Sequence, residues 1–65
     1  MFDMEKTGRK ISELRKKSGM TQMALADKLG ISFQAVSNWE RGLTMPDVSK
    51  LPEIAELFGV TIEEL

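Results

Sequence analysis

The sequence predicts an all-α fold, a compact five-helix ring of short elements around one small core. Three observations predict it. Apolar residues recur at helical spacing, and no stretch alternates with period two as a half-buried strand does. Glycines follow amphipathic stretches at helix-sized intervals, at Gly19, Gly30, Gly42 and Gly59, where a residue of positive φ closes a helix. Three capping residues also open segments with one repeated pattern. Met20 and Leu25 flank Thr21, Ile31 and Val36 flank Ser32, and Val60 and Leu65 flank Thr61, each at the N′-to-N4 spacing of a hydrophobic staple.

The first helix is expected over about residues 5–18, with Ile11 and Leu14 inward. The second covers 22–29 behind Thr21 and contributes Leu25, Ala26 and Leu29 to the core. The third covers 33–41 behind Ser32 and turns Val36 and Trp39 inward. The fourth covers 49–58 with Ser49 as its cap, which puts Pro52 in the first turn, where a missing N–H matters little. Val48, Leu51, Ile54, Leu57 and Phe58 form its inner face. A fifth helix is expected from residue 62 onward, opened by a Thr61–Glu64 capping box. Ile31, Val60, Ile62 and Leu65 close the remaining gaps, and Met20 and Met23 are expected to pack. The reading is one domain over 1–65, either the N-terminal part of a longer protein or a domain whose last helix is barely one turn.

Composition removes several function classes. The 65 residues contain no cysteine and no histidine, so disulfides, thiolate metal sites and the commonest general base are absent. At 42% hydrophobic and 29% charged residues the chain is globular in composition. No apolar run approaches the ~18 residues of a membrane span, and the N-terminus lacks a signal-peptide core. A reducing, cytoplasmic setting is expected, with no cofactor, metal, membrane or small-molecule substrate. An enzyme is disfavoured, since a small helical domain of this kind offers no phosphate-cradling loop and no apolar cleft.

Net charge is −1 and the pI about 5.3, which is not the basic footprint of a nucleic-acid binder. Its distribution matters more. Residues 1–20 carry six basic against three acidic side chains, a net of +3, whereas residues 46–65 carry one against five, a net of −4. Charges on an end facing away from a polyanion are screened beyond about 8–10 Å. Charge alone therefore decides nothing.

The informative stretch is Gln22 to Glu40. Two short helices flank the tripeptide Gly30-Ile31-Ser32, and so short a turn forces a steep crossing. The crossing needs a small residue where one helix passes over the other, and Ala26 stands there. It needs a residue that tolerates positive φ to open the turn, and Gly30 does so. Leu25, Leu29, Ile31, Val36 and Trp39 then fix the angle.

Thr21-Gln22-x-x-Leu25-Ala26-x-x-Leu29-Gly30-Ile31-Ser32, followed by Ala35-Val36-Ser37-x-Trp39-Glu40-x-Gly42, resembles the Cro/phage-repressor-like (XRE-type) helix-turn-helix family. Pro46-Asp47, Leu51 and Ile54-Ala55-x-Leu57-Phe58-Gly59-Val60-Thr61 are similar to that family's fourth helix and its exit, so the resemblance covers about residues 6–65. It implies a repressor-like DNA-binding domain with the helix-turn-helix at helices 2 and 3. The third helix is expected in the major groove of double-stranded DNA. It further implies a transcription regulator, a repressor by default, and a homodimer contacting through the fourth and fifth helices around Pro52, Ile62 and Leu65. Glu63 and Glu64 make that surface poorly self-attracting, so dimerisation is expected to need residues beyond 65.

With Val36 and Trp39 inward, Gln34, Asn38 and Arg41 face outward, flanked by Ser37 and Ala35. The Gln34 and Asn38 amides match adenine, donating to N7 and accepting from N6, although polar residues also simply solvate an exposed helix. Phe33 either folds back onto the core or presses on a thymine methyl. Expected base contacts are Ser32, Phe33, Gln34, Ser37 and Asn38. Expected phosphate contacts are Thr21, Gln22, Arg41 and Thr44, with Gln22 beside the free N–H groups that open the second helix. Lys6, Arg9 and Lys10 add attraction without specificity. The resemblance also implies a structural ion pair, Arg15 with Glu40, and Trp39 belongs to the core. Phe33 and Asn38 depart from the family, which often has a polar or basic residue and a lysine there. Together with the acidic pI, Phe33 favours the alternative function, a helical protein–protein interaction module that has lost DNA binding.

Overall fold

The computed structural model describes residues 3–65, so the first two residues of the expected 1–65 domain lie outside it. Four α-helices form among the described residues: α1 Met4–Lys17, α2 Gln22–Leu29, α3 Phe33–Glu40 and α4 Lys50–Phe58. They are followed by a 3-10 turn, Ile62–Glu64. The expected count of five helices is therefore corrected to four.

The expected Thr61–Glu64 capping box does form, but the segment it opens is a 3-10 turn. The Glu64 carboxylate accepts from the Thr61 N–H at 3.3 Å and from its hydroxyl at 3.2 Å, closing the segment on itself. Leu65 N–H then donates to Ile62 at 3.0 Å, an i-to-i+3 bond that tightens the turn. Leu65 is drawn into the core, and its carbonyl accepts from the buried Thr7 hydroxyl at 2.9 Å. Ile62 is consequently left exposed rather than in the core, as expected of a side chain on the outer side of so short a turn.

Local chemistry explains the other ends. Asp3 Oδ1 accepts from the Glu5 and Lys6 amides at 2.9 and 3.1 Å, and Arg15, Lys16 and Lys17 complement the dipole at the far end of α1. Thr21 and Ser32 cap α2 and α3 by accepting from Ala24 and Ala35. Ser49 makes no capping bond. Instead Asp47 Oδ1 accepts from the Ser49 amide and hydroxyl at 3.0 and 3.2 Å, an Asx turn that launches α4. Val48 lies in that turn and not on the helix, so it is 80% exposed and does not join the core.

The core consists of Ile11, Leu25, Ala26, Leu29, Val36, Trp39, Leu51, Ile54, Ala55 and Leu65. Leu14, Met20, Ile31, Leu57, Phe58 and Val60 pack against it from partly buried positions. Met23 does not pack; it is 54% exposed. α3 packs against both α1 and α2, and α4 closes the far side of α2. At Gly8 the α1–α3 contact is backbone to backbone: a Cβ there would lie 2.0 Å from the Trp39 carbonyl oxygen.

Candidate nucleic-acid interface

The turn between α2 and α3 is built from three residues with separate tasks. Gly30 adopts φ +67°, the left-handed conformation that costs other residues about 1 kcal/mol or more. That lets the Ile31 N–H reach the Ala26 carbonyl at 3.0 Å and the Gly30 N–H reach Asp27 at 3.3 Å, the paired bonds of a Schellman ending. Ile31 packs against the core, and Ser32 caps the next helix. The chain is thereby redirected within one tripeptide, with the buried Ala26 on the inner side.

The other end of α3 is fastened by side chains. Arg15 donates from Nε to Glu40 Oε2 at 2.6 Å and from Nη2 to Oε1 at 2.9 Å, a two-point fork. Its Nη1 donates to the Met20 carbonyl at 2.9 Å, and Gln22 Nε2 donates to Glu40 Oε1 at 2.9 Å. The start of α2, the α1–α2 loop and the end of α3 are therefore joined through α1. Burial acts to raise the Glu40 pKa, but the hydrogen bonds from Arg15 and Gln22 outweigh it and hold the carboxyl below its usual range. The Glu40 hydrogen bond raises the Arg15 pKa.

On the outward side of α3, Gln34, Asn38 and Arg41 come together. Asn38 Oδ1 accepts from Gln34 Nε2 at 3.0 Å and from Arg41 Nη2 at 3.1 Å. Phe33 is 45% exposed at the start of the same helix and does not fold onto the core. Ser32 is exposed with its hydroxyl accepting from Ala35, and Ser37 is half-buried beside Asn38. Thr21, Arg41 and Thr44 are exposed, whereas Gln22 is half-buried with an amide N–H already given to Glu40. Lys6 and Arg9 are exposed and Lys10 half-buried along α1.

Some positioning residues were not visible in advance. Gly8 sits where α3 touches α1, and its signal was a lone glycine inside a helical stretch, which often marks close packing. Thr7 is buried and ties the end of the fold to α1. Lys50 Nζ donates to the Leu29 carbonyl at 3.1 Å, satisfying the end of α2 from α4; nothing in its spacing announces that.

With this geometry in place, similarity to known proteins is informative. The helix-turn-helix family model HTH_3 matches residues 11–65. The chain is 41% identical over 56 residues to the HTH-type transcriptional activator BcrR of Enterococcus faecalis, a match over 86% of this chain and 28% of BcrR. The chain spans 28%, 46% and 31% of the length of three curated relatives that it matches. Among solved structures, the restriction-modification controller protein C.AhdI from Aeromonas hydrophila superposes with a TM-score of 0.84 at 27% identity, over 95% of this chain and 94% of that one. Hydroxypropylphosphonic acid epoxidase from S. wedmorenis superposes with a TM-score of 0.79 at 27% identity, over 97% of this chain but only 35% of the epoxidase.

Proposed function

We propose a function from one premise: the chain belongs to the HTH_3 helix-turn-helix family of DNA-binding transcription regulators. On that premise it binds double-stranded DNA sequence-specifically, as the reading domain of a regulator, with α3 in the major groove. One observation carries this reading. The face of α3 opposite the buried Val36 and Trp39 presents an exposed Gln34 and a half-buried Asn38 one turn apart. That is the spacing at which two side chains reach base edges from one helix.

Ser32, Phe33, Gln34, Ser37 and Asn38 form the base-reading set. The exposure of Phe33 favours an apolar contact with a thymine methyl, because it leaves the ring available at the helix start. Thr21, Gln22, Arg41 and Thr44 face the phosphates, helped by the free amides that open α2. Gln22 has a second task through Glu40, so its contribution there runs through its remaining amide hydrogen and the backbone. Arg15 and Glu40 touch no base; they hold α3 at its working angle. Repression by covering a promoter is the proposed outcome, the protein is proposed to work in the cytoplasm, and two copies joined through α4 and the terminal turn bind a pseudo-palindrome with half-sites about one helical turn apart.

Selection of binding sites from a random duplex library, on protein of verified helicity, tests this. Recovery of an inverted repeat establishes a dimeric reader. Recovery of one half-site establishes a competent domain without its dimerising partner. A folded sample that enriches nothing, and whose duplex binding shows no steep fall with salt, removes the DNA reading and leaves the interaction module.

A further inference from the structure

Arg41, at the C-terminal cap of α3, and Gln34, two turns earlier, both donate to one atom, Asn38 Oδ1. A guanidinium carries only donors, so the Asn38 atom that it faces must be the carbonyl oxygen. That orientation dictates the next. The Gln34 atom facing the same oxygen must be the amide nitrogen, because two oxygens cannot share a hydrogen that neither carries. Both bonds thus converge on the Asn38 oxygen, one from Arg41 and one from Gln34.

The count of remaining groups is asymmetric. A carbonyl oxygen has two lone pairs, and at Asn38 both are occupied. Asn38 keeps two N–H donors and no acceptor. Gln34 has given one N–H and keeps its carbonyl oxygen and the other N–H. The two amides, alike in kind, therefore offer different patterns to a groove.

Resting on the DNA reading above, we infer that Asn38, held donor-only by Arg41, selects guanine, while Gln34 selects adenine. Guanine presents two major-groove acceptors, O6 and N7, to two donors. Adenine requires a partner that accepts from N6 while donating to N7, which Gln34 provides and Asn38 does not. Cytosine presents a donor to Asn38 and leaves both unpaired, and thymine offers one acceptor where guanine offers two. The expectation of adenine at Asn38 holds only for an asparagine with its oxygen free. Arg41 is accordingly a positioning residue that acts on base choice through Asn38, apart from any phosphate it touches.

Binding-site selection on the wild type, Arg41→Met and Arg41→Lys tests this. The wild type should prefer guanine over adenine about tenfold at one position of the half-site and adenine at a neighbouring one. Arg41→Met removes the donor and should bring guanine and adenine to within about twofold at the first position, with the second unchanged. Arg41→Lys keeps a donor-only cation and should keep the preference. Adenine at both positions in the wild type overturns the inference, as does an Arg41→Met variant that weakens all sites uniformly with guanine retained, the behaviour of a phosphate contact alone. A folded wild type that enriches no site overturns the DNA reading itself, a distinguishable failure. A DNA-free readout is the Asn38 and Gln34 side-chain amide resonances, which should both shift in Arg41→Met; unshifted signals also overturn the inference.

Discussion

Replacing Gly8 by alanine sets two effects of known sign against each other. On helix propensity alone the change is favourable, by about 1 kcal/mol in the interior of α1. Against it stands the α1–α3 contact, where the new Cβ would lie 2.0 Å from the Trp39 carbonyl oxygen and 3.1 Å from its carbon. These neighbours are backbone, so no rotamer change relieves them. Ordinary contact begins near 3.4 Å, so the helices must part by about 1.4 Å along that line. A separation of that size loosens the core between α1 and α3 and draws Arg15 from Glu40, whose bonds are 2.6 and 2.9 Å long. Overpacking costs of about 1–3 kcal/mol, plus part of the ion pair, exceed the propensity gain and leave a net loss of about 2 kcal/mol. A domain of this length holds roughly 3–10 kcal/mol in total, and each kcal/mol moves the melting temperature by about 4–8 °C. Gly8→Ala should therefore melt about 8–16 °C below the wild type, followed by circular dichroism and by Trp39 fluorescence. Glu13→Ala, on the exposed side of the same helix, should shift it little. A Gly8→Ala protein that melts at or above the wild type would mean that propensity wins and that the helices do not meet at backbone distance.

Glu40→Ala should cost about 3 kcal/mol in chemical denaturation, because it strands the Arg15 charge and frees Gln22, and the Arg15→Ala, Glu40→Ala double variant should cost less than the sum of the singles. Glu40 has a folded pKa lowered from its usual 4.5, so its stabilisation is complete above about pH 4.5 and is lost as pH falls through the depressed folded value. Glu40→Gln should flatten that acid limb, and an unchanged slope in pH-resolved melts would assign the limb to other carboxyls. Thr7→Val should cost about 1 kcal/mol by removing the donor to the Leu65 carbonyl; equal stability would show that water replaces it. Gln34→Ala should weaken the preferred duplex by about 1–3 kcal/mol and leave random-duplex binding unchanged, and equal losses on both would count against a base contact.

What could be read from the sequence was whatever repeats or closes within a few residues. The α2–turn–α3 unit follows from Thr21, Gly30 and Ser32, each acting on neighbours at most four positions away, and α2 occupies the expected residues 22–29. Long-range choices were not visible. Val48 continues the apolar period of α4, yet the Asx turn at Asp47 takes it off the helix. Thr61 and Glu64 form the expected capping box, yet the turn they open is tightened by the i-to-i+3 bond from Leu65 to Ile62 into a 3-10 turn. At the candidate site, the outward direction of Gln34, Asn38 and Arg41 followed from the phase of Val36 and Trp39. The hydrogen-bond polarity among them did not, because residue type gives an amide both a donor and an acceptor, and only the position of Arg41 decides which remains.

The acidic balance of the chain bears on how such a site can work. Although the net charge is −1, attraction to phosphates is concentrated near the +3 segment that contains α1. On the proposed DNA reading, sequence-specific affinity gains from contacts that are already in place when α3 arrives. The geometry supplies that condition at several levels. Ser32 and the Gly30 turn fix the start of α3, Gly8 sets its depth against α1, and the Arg15–Glu40–Gln22 cluster fixes its end. Gln34, Asn38 and Arg41 restrain one another on the outward face of α3. Ordering a free side chain on binding costs about 0.5–1.5 kcal/mol, so three side chains that are ordered beforehand save a few kcal/mol of discrimination. On the proposed DNA reading, such a pre-ordered face raises binding to the matched site more than binding to random duplex. Variants that unfasten either end of α3 should therefore lose specificity before they lose helicity.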